Sequence, residues 1–147
     1  MKKIVWISSY PKSGNTFLRA MLSAFFYSKD GTFKQDYLKN ISEFPRDFFD
    51  FKPKNNFLNE VKEYEKVQKK ISDTDKDVIF LKTHSANLII NETFPTINKD
   101  FTVCSIYIVR DPRNVILSLK NHYNLDIKKS LSLLMNDKNF ICMNNKD

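Results

Sequence analysis

The sequence predicts an α/β fold, with a three-layer arrangement in which helices flank a parallel sheet. Three short apolar segments, residues 3–9, 78–82 and 103–109, have the composition of buried strands. Helical segments separate them, and strands that alternate with helices are typical of parallel sheets. A chain of 147 residues can bury a core of its own, so we predict one domain over residues 1–147.

Residues 16–27 are predicted to form a helix, because their spacing places five apolar residues on one helical face: Phe17, Leu18, Met21, Leu22 and Phe25. Residues 29–57 are aromatic-rich and irregular, with a turn at Asp30-Gly31 and with Pro45 and Pro53 interrupting any long helix.

Three further helices are predicted. Residues 57–71 are highly charged, which favours an exposed helix. Asp111 followed by Pro112 is typical of a helix start, because Asp can cap a helix and Pro fits its first turn. Residues 126–137 have the composition of one more helix.

The net charge is +7, from 24 Lys and Arg against 17 Asp and Glu. A basic surface favours an anionic partner such as a nucleotide, a nucleic acid or an acidic membrane, although Lys-rich surfaces also serve solubility alone. No run of residues is long and apolar enough to cross a membrane, and the apolar part of "MKKIVWISSYPK" is too short for a signal peptide.

The two cysteines do not form a disulfide framework or a zinc motif. Cys104 lies in an apolar segment, where we expect a buried thiol. A reducing compartment fits this usage, and we therefore expect a cytoplasmic protein.

Polar and basic residues follow each predicted strand. Lys12 follows the first strand, Lys82 and His84 the second, and Arg110 the third. Parallel strands present their carboxyl ends at one edge of a sheet, where ligands bind in α/β proteins. We therefore expect these four side chains to converge.

The first loop, in "YPKSGNTFLR", is unusually rich in hydrogen-bond donors. A loop between a strand and a helix exposes backbone N–H groups that favour an anion, and Gly14 permits close approach. Lys12 adds a positive charge, and Ser13, Asn15 and Thr16 add donors. The alternative is a plain turn with a Thr helix cap.

This loop departs from the Walker pattern because its lysine precedes the glycine. It resembles the 5′-phosphosulfate loop of sulfotransferases that use 3′-phosphoadenylyl sulfate (PAPS). The usual family form has threonine where Asn15 stands and tryptophan where Phe17 stands. The resemblance implies that residues 12–17 bind PAPS, with Phe17 near the adenine.

A second motif, "YIVRDPRNVILSLKNHY", is similar to the family's 3′-phosphate motif, in which an Arg ends a strand and a Ser follows eight residues later. Arg110 and Ser118 stand in that relation, and a guanidinium offers a bidentate fork to phosphate. Alternatively, Arg110 pairs with Asp111 or Asp100, and Ser118 is a surface residue.

The third motif is Lys82-Thr83-His84, which matches the family's Lys-Thr-His with its histidine as catalytic base. Histidine suits proton removal from an acceptor hydroxyl near neutral pH. A structural histidine is the alternative reading. His122, one helical turn beyond Ser118, is more typical of a surface or packed imidazole.

Together the motifs imply a sulfotransferase with PAPS as co-substrate, His84, Lys12 and Lys82 as catalytic residues, and no metal. The implied acceptor is a hydroxyl, or an amine, of a small molecule, glycan or lipid, and no nucleic acid partner is expected. Lysines would neutralise the leaving group.

The resemblance also implies a P-loop-NTPase-like fold that is incomplete, because family members are longer and carry a later Gly-rich loop. No glycine follows Gly31. The chain is therefore expected to be truncated at its C-terminus, as a fragment, one half of a split gene or a degenerate copy, with self-association or a missing C-terminal half as its expected partner. The alternatives are an inactive nucleotide-binding remnant and a P-loop nucleotide kinase in which Asp111 holds Mg²⁺.

Overall fold

The computed structural model describes residues 1–49 and 57–136 of the chain. The chain divides into two compact units, Met1–Val109 and Arg110–Asp147. One domain over residues 1–147 stays a prediction.

The first unit is built on a three-stranded parallel sheet. Strand β1 (Ile4–Ser9) lies in the centre, between β2 (Ile79–Thr83) and β5 (Thr102–Ile108). Two short strands that the sequence did not predict, β3 (Ile89–Ile90) and β4 (Phe94–Pro95), form a separate antiparallel pair. The three predicted strands and the α/β class with a parallel sheet are confirmed.

Two helices cover opposite faces of this sheet, which gives the predicted three layers. Side chains alternate between the faces of a strand, so Trp6 and Leu81 share one face and Phe80 lies on the other. Helix α1 (Asn15–Tyr27) contacts the second face, where the rings of Phe26 and Phe80 lie 5.1 Å apart. Helix α2 (Phe57–Ser72) covers the first face.

The core of the unit lies between α2 and the sheet. Its fully buried members come from β1, β2, α2 and the segment before α2: Ile4, Trp6, Phe44, Val61, Tyr64 and Leu81. The rings of Trp6 and Phe44 meet edge to face at 5.4 Å. The prediction that residues 57–71 form an exposed helix is therefore wrong in one respect. Charges cover its outer face, while its inner face is packed on the core.

The predicted apolar face of α1 is only partly buried. Phe17, Met21 and Phe25 are more than half exposed, whereas Ser23 and Ala24 are buried. Small side chains at these positions let the helix approach closely, and the buried Asn15 ties its first turn to β1. Local packing thus selects a different face from the one that hydrophobicity indicates.

The burial predicted for the third strand is also wrong. Val103 and Tyr107 are more than half exposed, and Cys104 is an exposed free thiol. The reason is the number of neighbours: in the first unit β5 lies beside β1, whereas β2 is flanked by β1 on one side and by residues 42–44 on the other.

The irregular segment before α2 contains a 3₁₀ helix, Gln35–Asn40, and then runs beside β2. The N–H of Lys82 donates to the Ser42 carbonyl, and the N–H of Phe44 donates to the Lys82 carbonyl, each at 2.8 Å. These bonds extend the sheet beyond β2 and fix Glu43 opposite Lys82. Pro53 lies outside the described residues.

The second unit contains helices α3 (Pro112–Tyr123) and α4 (Ile127–Met135). The predicted cap of α3 is confirmed, because the Asp111 carboxylate accepts the Arg113 N–H at 2.9 Å. Asn124 ends the helix in the left-handed conformation, with φ at 52°. Asp126 then caps α4 by accepting the Lys129 N–H. Across residues 1–49 and 57–136, no helix is long and apolar enough to cross a membrane.

Packing of α2 on the sheet predicts unequal effects of two substitutions on that helix. Val61→Ala removes buried methyl groups and should lower the free energy of unfolding by about 2 kcal/mol. Glu65→Ala, at an exposed position of the same helix, should leave it nearly unchanged. Denaturant unfolding measures both, and equal effects would contradict the packing of α2.

Candidate functional site

The parallel pairing of β1 with β2 brings two predicted site elements to one edge of the sheet. The donor-rich loop follows β1, and His84 follows β2. Ile7 pairs with Lys82 and Ser8 with Thr83, so continuation of the register places Ser9 beside His84. The carboxyl end of β5 lies at the same edge.

The loop after β1 contains two residues with positive φ. Lys12 has φ at 68° and Gly14 has φ at 105°. A Cβ at Gly14 would meet no atom within 4 Å, so backbone conformation alone favours glycine there. For Lys12 the left-handed region costs about 1–2 kcal/mol. Strain of this size concentrates at functional loops.

Gly14 immediately precedes α1 and turns the chain into it. The N–H groups of the first helical turn have no intrahelical carbonyl to pair with. They also form the positive end of the helix dipole, which favours an anion. Gly14, Thr16 and Phe17 are exposed at this end, whereas Ser13 is buried and its N–H donates to the Tyr10 carbonyl at 3.2 Å.

The side chain of Asn15 is turned into the protein, where 4% of the residue is exposed. Its amide nitrogen donates to the Ile7 carbonyl at 3.0 Å and to the Ser9 hydroxyl at 3.2 Å. Its amide oxygen is buried without a hydrogen-bond partner. The Asn15 side chain, which the sequence suggested as a donor to an anion, therefore donates to β1 instead. Only the backbone N–H of Asn15 remains at the helix N-terminus as a donor to an anion.

His84 is held at the end of β1. Its Nδ1 lies 2.8 Å from the Ser9 carbonyl oxygen and 3.3 Å from the Ser9 hydroxyl. A carbonyl oxygen can only accept, so this contact requires a proton on Nδ1. The neutral ring then carries its lone pair on Nε2. Such an imidazole can accept a proton at Nε2 without changing its hold on β1.

The surroundings of His84 lower its pKa. Burial is the largest cause, and the positive charges of Lys82 and Arg19 act in the same direction. The Ser9 carbonyl and the Glu43 carboxylate act in the opposite direction. The ring is therefore neutral at lower pH than an ordinary histidine.

Lys82 is buried in an ion pair. Its ammonium donates to the Glu43 carboxylate at 2.7 Å, and each side chain is about one-tenth exposed. Burial lowers the pKa of Lys82, while Glu43 opposes that shift. Arg46, which is half exposed, adds a second contact to the Glu43 carboxylate at 3.0 Å.

Arg19 of α1 completes this charged group. Its guanidinium donates to the carbonyls of Leu38 and Ile41, at 3.0 and 2.6 Å, and burial lowers its pKa. Sequence reasoning missed Ser9, Arg19 and Glu43. Glu43 lies in an irregular segment, so no local pattern signals its pairing with Lys82.

Thr83 shapes the turn that carries His84. It is buried, and its hydroxyl accepts the N–H of Ser85 at 3.0 Å. This local hydrogen bond bends the chain directly after β2 and fixes the backbone around His84.

The remaining predicted residues belong to the second unit. Arg110 is exposed and precedes α3, and Ser118 is half-buried in the second turn of that helix. His122 is exposed near the helix end, with its ring 4.7 Å from that of Tyr123. Asp111 is occupied as a cap and pairs with Arg113 at 2.6 Å.

Among the described residues, no group of three or more His, Cys, Asp and Glu side chains is placed to hold a metal ion. Comparison with known proteins adds a family to this geometry. A family model described as the sulfotransferase domain matches residues 2–142, nearly the whole chain. No curated protein matched the sequence.

Because the Glu43–Lys82 pair is buried, we expect that removing the Glu43 charge lowers the free energy of unfolding strongly, and that a second substitution at Lys82 restores it. Glu43→Gln leaves the Lys82 ammonium buried without its counter-charge, which should cost about 3–5 kcal/mol and lower the pKa of Lys82 further. Adding Lys82→Met removes the stranded charge and should restore most of the loss. Denaturant unfolding of both variants measures this difference.

Asp36→Asn is the matched control, because Asp36 pairs with Lys39 at the same 2.7 Å but both side chains are exposed. That substitution should leave the unfolding midpoint unchanged. If Glu43→Gln lowers the free energy of unfolding no more than Asp36→Asn does, the buried pair does not stabilise the fold as we expect.

Proposed function

The chain belongs to the sulfotransferase domain family, and from that premise we propose that it transfers a sulfuryl group from PAPS to an acceptor hydroxyl, with His84 as general base. Family membership supports sulfuryl transfer in general. One observation carries the finer proposal: His84, held by Nδ1 to the Ser9 carbonyl, lies at the sheet edge from which the donor-rich loop begins.

In this proposal the loop after β1 binds the 5′-phosphosulfate. The backbone N–H groups of Gly14, Asn15 and Thr16 supply donors at the positive end of α1, and the Thr16 hydroxyl adds another. Asn15 acts mainly through its backbone N–H, because its buried side chain donates to β1. Ser13 supports the shape of the loop, since its own N–H donates to the Tyr10 carbonyl. Phe17 is 72% exposed, which leaves its ring available for the adenine.

The chemical step requires little of the protein beyond a base and positive charge. The acceptor oxygen attacks sulfur in line as its proton moves to Nε2 of His84. The bond from sulfur to the bridging oxygen breaks, and its electron pair stays on the 5′-phosphate of the departing nucleotide. Lys12 neutralises that oxygen. Lys82 assists as a fixed positive charge, and its ammonium also donates a hydrogen bond to the Glu43 carboxylate.

Arg110 and Ser118 are proposed to hold the 3′-phosphate, on the strength of their match to the family motif. The acceptor is proposed to be a hydroxyl or an amine of a small molecule, glycan or lipid. A cytoplasmic location is part of the same proposal. A nucleotide-kinase role is less well supported, because the carboxylate that would hold Mg²⁺, that of Asp111, is engaged by α3 and Arg113.

Nucleotide binding separates these alternatives. The chain should bind 3′-phosphoadenosine 5′-phosphate without Mg²⁺, and more tightly than it binds Mg·ATP, because its proposed contacts are phosphate contacts and need no metal. Isothermal titration calorimetry measures both ligands. Preference for Mg·ATP would favour the kinase, and binding without transfer to any acceptor in a broad panel would favour an inactive remnant.

Replacement of the proposed base should remove turnover while leaving nucleotide binding. A general base contributes about 10²–10⁴-fold, so His84→Ala should lower kcat by that factor and leave the Kd for 3′-phosphoadenosine 5′-phosphate nearly unchanged. Transfer of ³⁵S from labelled PAPS measures kcat. His122→Ala, the control with the other histidine, should keep full activity.

The pH dependence follows from the lowered pKa of His84. The base works only when neutral, so the acid limb of kcat/KM should lie below the ordinary histidine value of about 6.5. The unfolded chain binds this proton more readily than the folded chain. Stability should therefore rise with pH between the lowered pKa and about 6.5. An acid limb above that value, or full activity in His84→Ala, would exclude His84 as the base.

A further inference from the structure

Ser9 presents two acceptors to the same ring nitrogen. Its carbonyl oxygen lies 2.8 Å from Nδ1 of His84, and its hydroxyl oxygen lies 3.3 Å from that nitrogen. We propose that Ser9 is a positioning residue that holds the His84 imidazole with its proton on Nδ1 and its lone pair on Nε2. This inference rests on the proposed function, in which Nε2 takes the proton of the acceptor.

Asn15 fixes the direction of the Ser9 hydroxyl. Its amide nitrogen donates to Ser9 Oγ and to the Ile7 carbonyl. A hydroxyl oxygen has two lone pairs, so one can accept from Asn15 while the other faces Nδ1–H. Ser9 and Asn15 are both buried, and water therefore competes weakly for these bonds. The first turn of α1 and the imidazole are thus joined by the same side chain.

The hydroxyl matters more once the ring is charged. When Nε2 takes a proton, the Nδ1–H···O bonds become charge-assisted and stronger. The Ser9 carbonyl thereby opposes the burial of His84 and the positive charges of Lys82 and Arg19, as the Glu43 carboxylate also does, and we expect the hydroxyl to act in the same direction. Loss of the hydroxyl should lower the pKa of His84 and leave its ring less firmly oriented.

A pair of isosteric substitutions isolates the hydroxyl. Ser9→Thr and Ser9→Val place side chains of the same shape on β1, and only threonine retains the hydroxyl. Ser8→Val is the control, because Ser8 is the preceding strand residue and its side chain points to the opposite face of the sheet. ¹⁵N NMR of the imidazole follows the tautomer and pKa of His84 without any substrate. Rates with PAPS give kcat and KM.

Ser9→Val should lower the pKa of His84 by about 0.5–1 unit relative to Ser9→Thr, because the lost hydrogen bond is stronger to the charged ring than to the neutral one. Its kcat should fall about 3–10-fold with KM for PAPS unchanged, since a weaker, less oriented base slows only the chemical step. Ser8→Val should match the unsubstituted protein in both measurements.

Equal His84 pKa values in Ser9→Val and Ser9→Thr would overturn the inference, as would a predominant Nε2–H tautomer in the unsubstituted protein. These NMR outcomes do not depend on turnover. If no acceptor is sulfated by the unsubstituted protein, the proposed function fails instead, and the titrations still decide whether Ser9 holds His84.

Discussion

The parallel pairing of β1 with β2 is the constraint on which the candidate site depends. The loop at 10–14 and the Lys82-Thr83-His84 segment are about seventy residues apart in the chain, and neither is a site by itself. Parallel register brings their starting points together, since Ile7 lies opposite Lys82 and Ser8 opposite Thr83. A one-residue slip would turn Lys82 and His84 to the other face of the sheet. The buried core on α2, with Trp6 and Leu81 in register, stabilises this pairing.

Burial at this edge is costly for the charged forms of its side chains, and the structure offsets that cost group by group. Glu43 pairs with Lys82, and two backbone carbonyls accept from Arg19. Within residues 1–49 and 57–136 His84 forms no such ion pair, and its Nδ1 contacts the carbonyl and the hydroxyl of Ser9. Burial therefore favours the neutral form of the His84 imidazole. It also lowers the pKa of Lys82, but the Glu43 carboxylate opposes that shift and favours the charged ammonium. A neutral, oriented imidazole can accept a proton at Nε2, while the neighbouring positive charges of Lys82 and Arg19 make it a weaker base.

Much of this architecture could be predicted from the sequence because it depends on local signals. β-Branched apolar runs indicated the strands, Asp111-Pro112 indicated the start of α3, and the parallel class indicated that Lys12 and His84 would follow neighbouring strands. The direction in which individual side chains point could not be predicted. Nothing in residues 16–27 indicates that Ser23 and Ala24, rather than Phe17 and Phe25, are buried. The Glu43–Lys82 pair depends on a non-local bridge, and the inward turn of Asn15 depends on acceptors in β1.

The central claim, that the loop after β1 and His84 form one anion-dependent site, can be tested directly by NMR. In ¹⁵N spectra of the imidazoles, titration with 3′-phosphoadenosine 5′-phosphate should move the His84 signals saturably and raise the pKa of His84, because the bound anion favours the imidazolium. The exposed His122 of the second unit serves as an internal reference for comparison. Saturable nucleotide binding that leaves the His84 signals and pKa unchanged would contradict the claim.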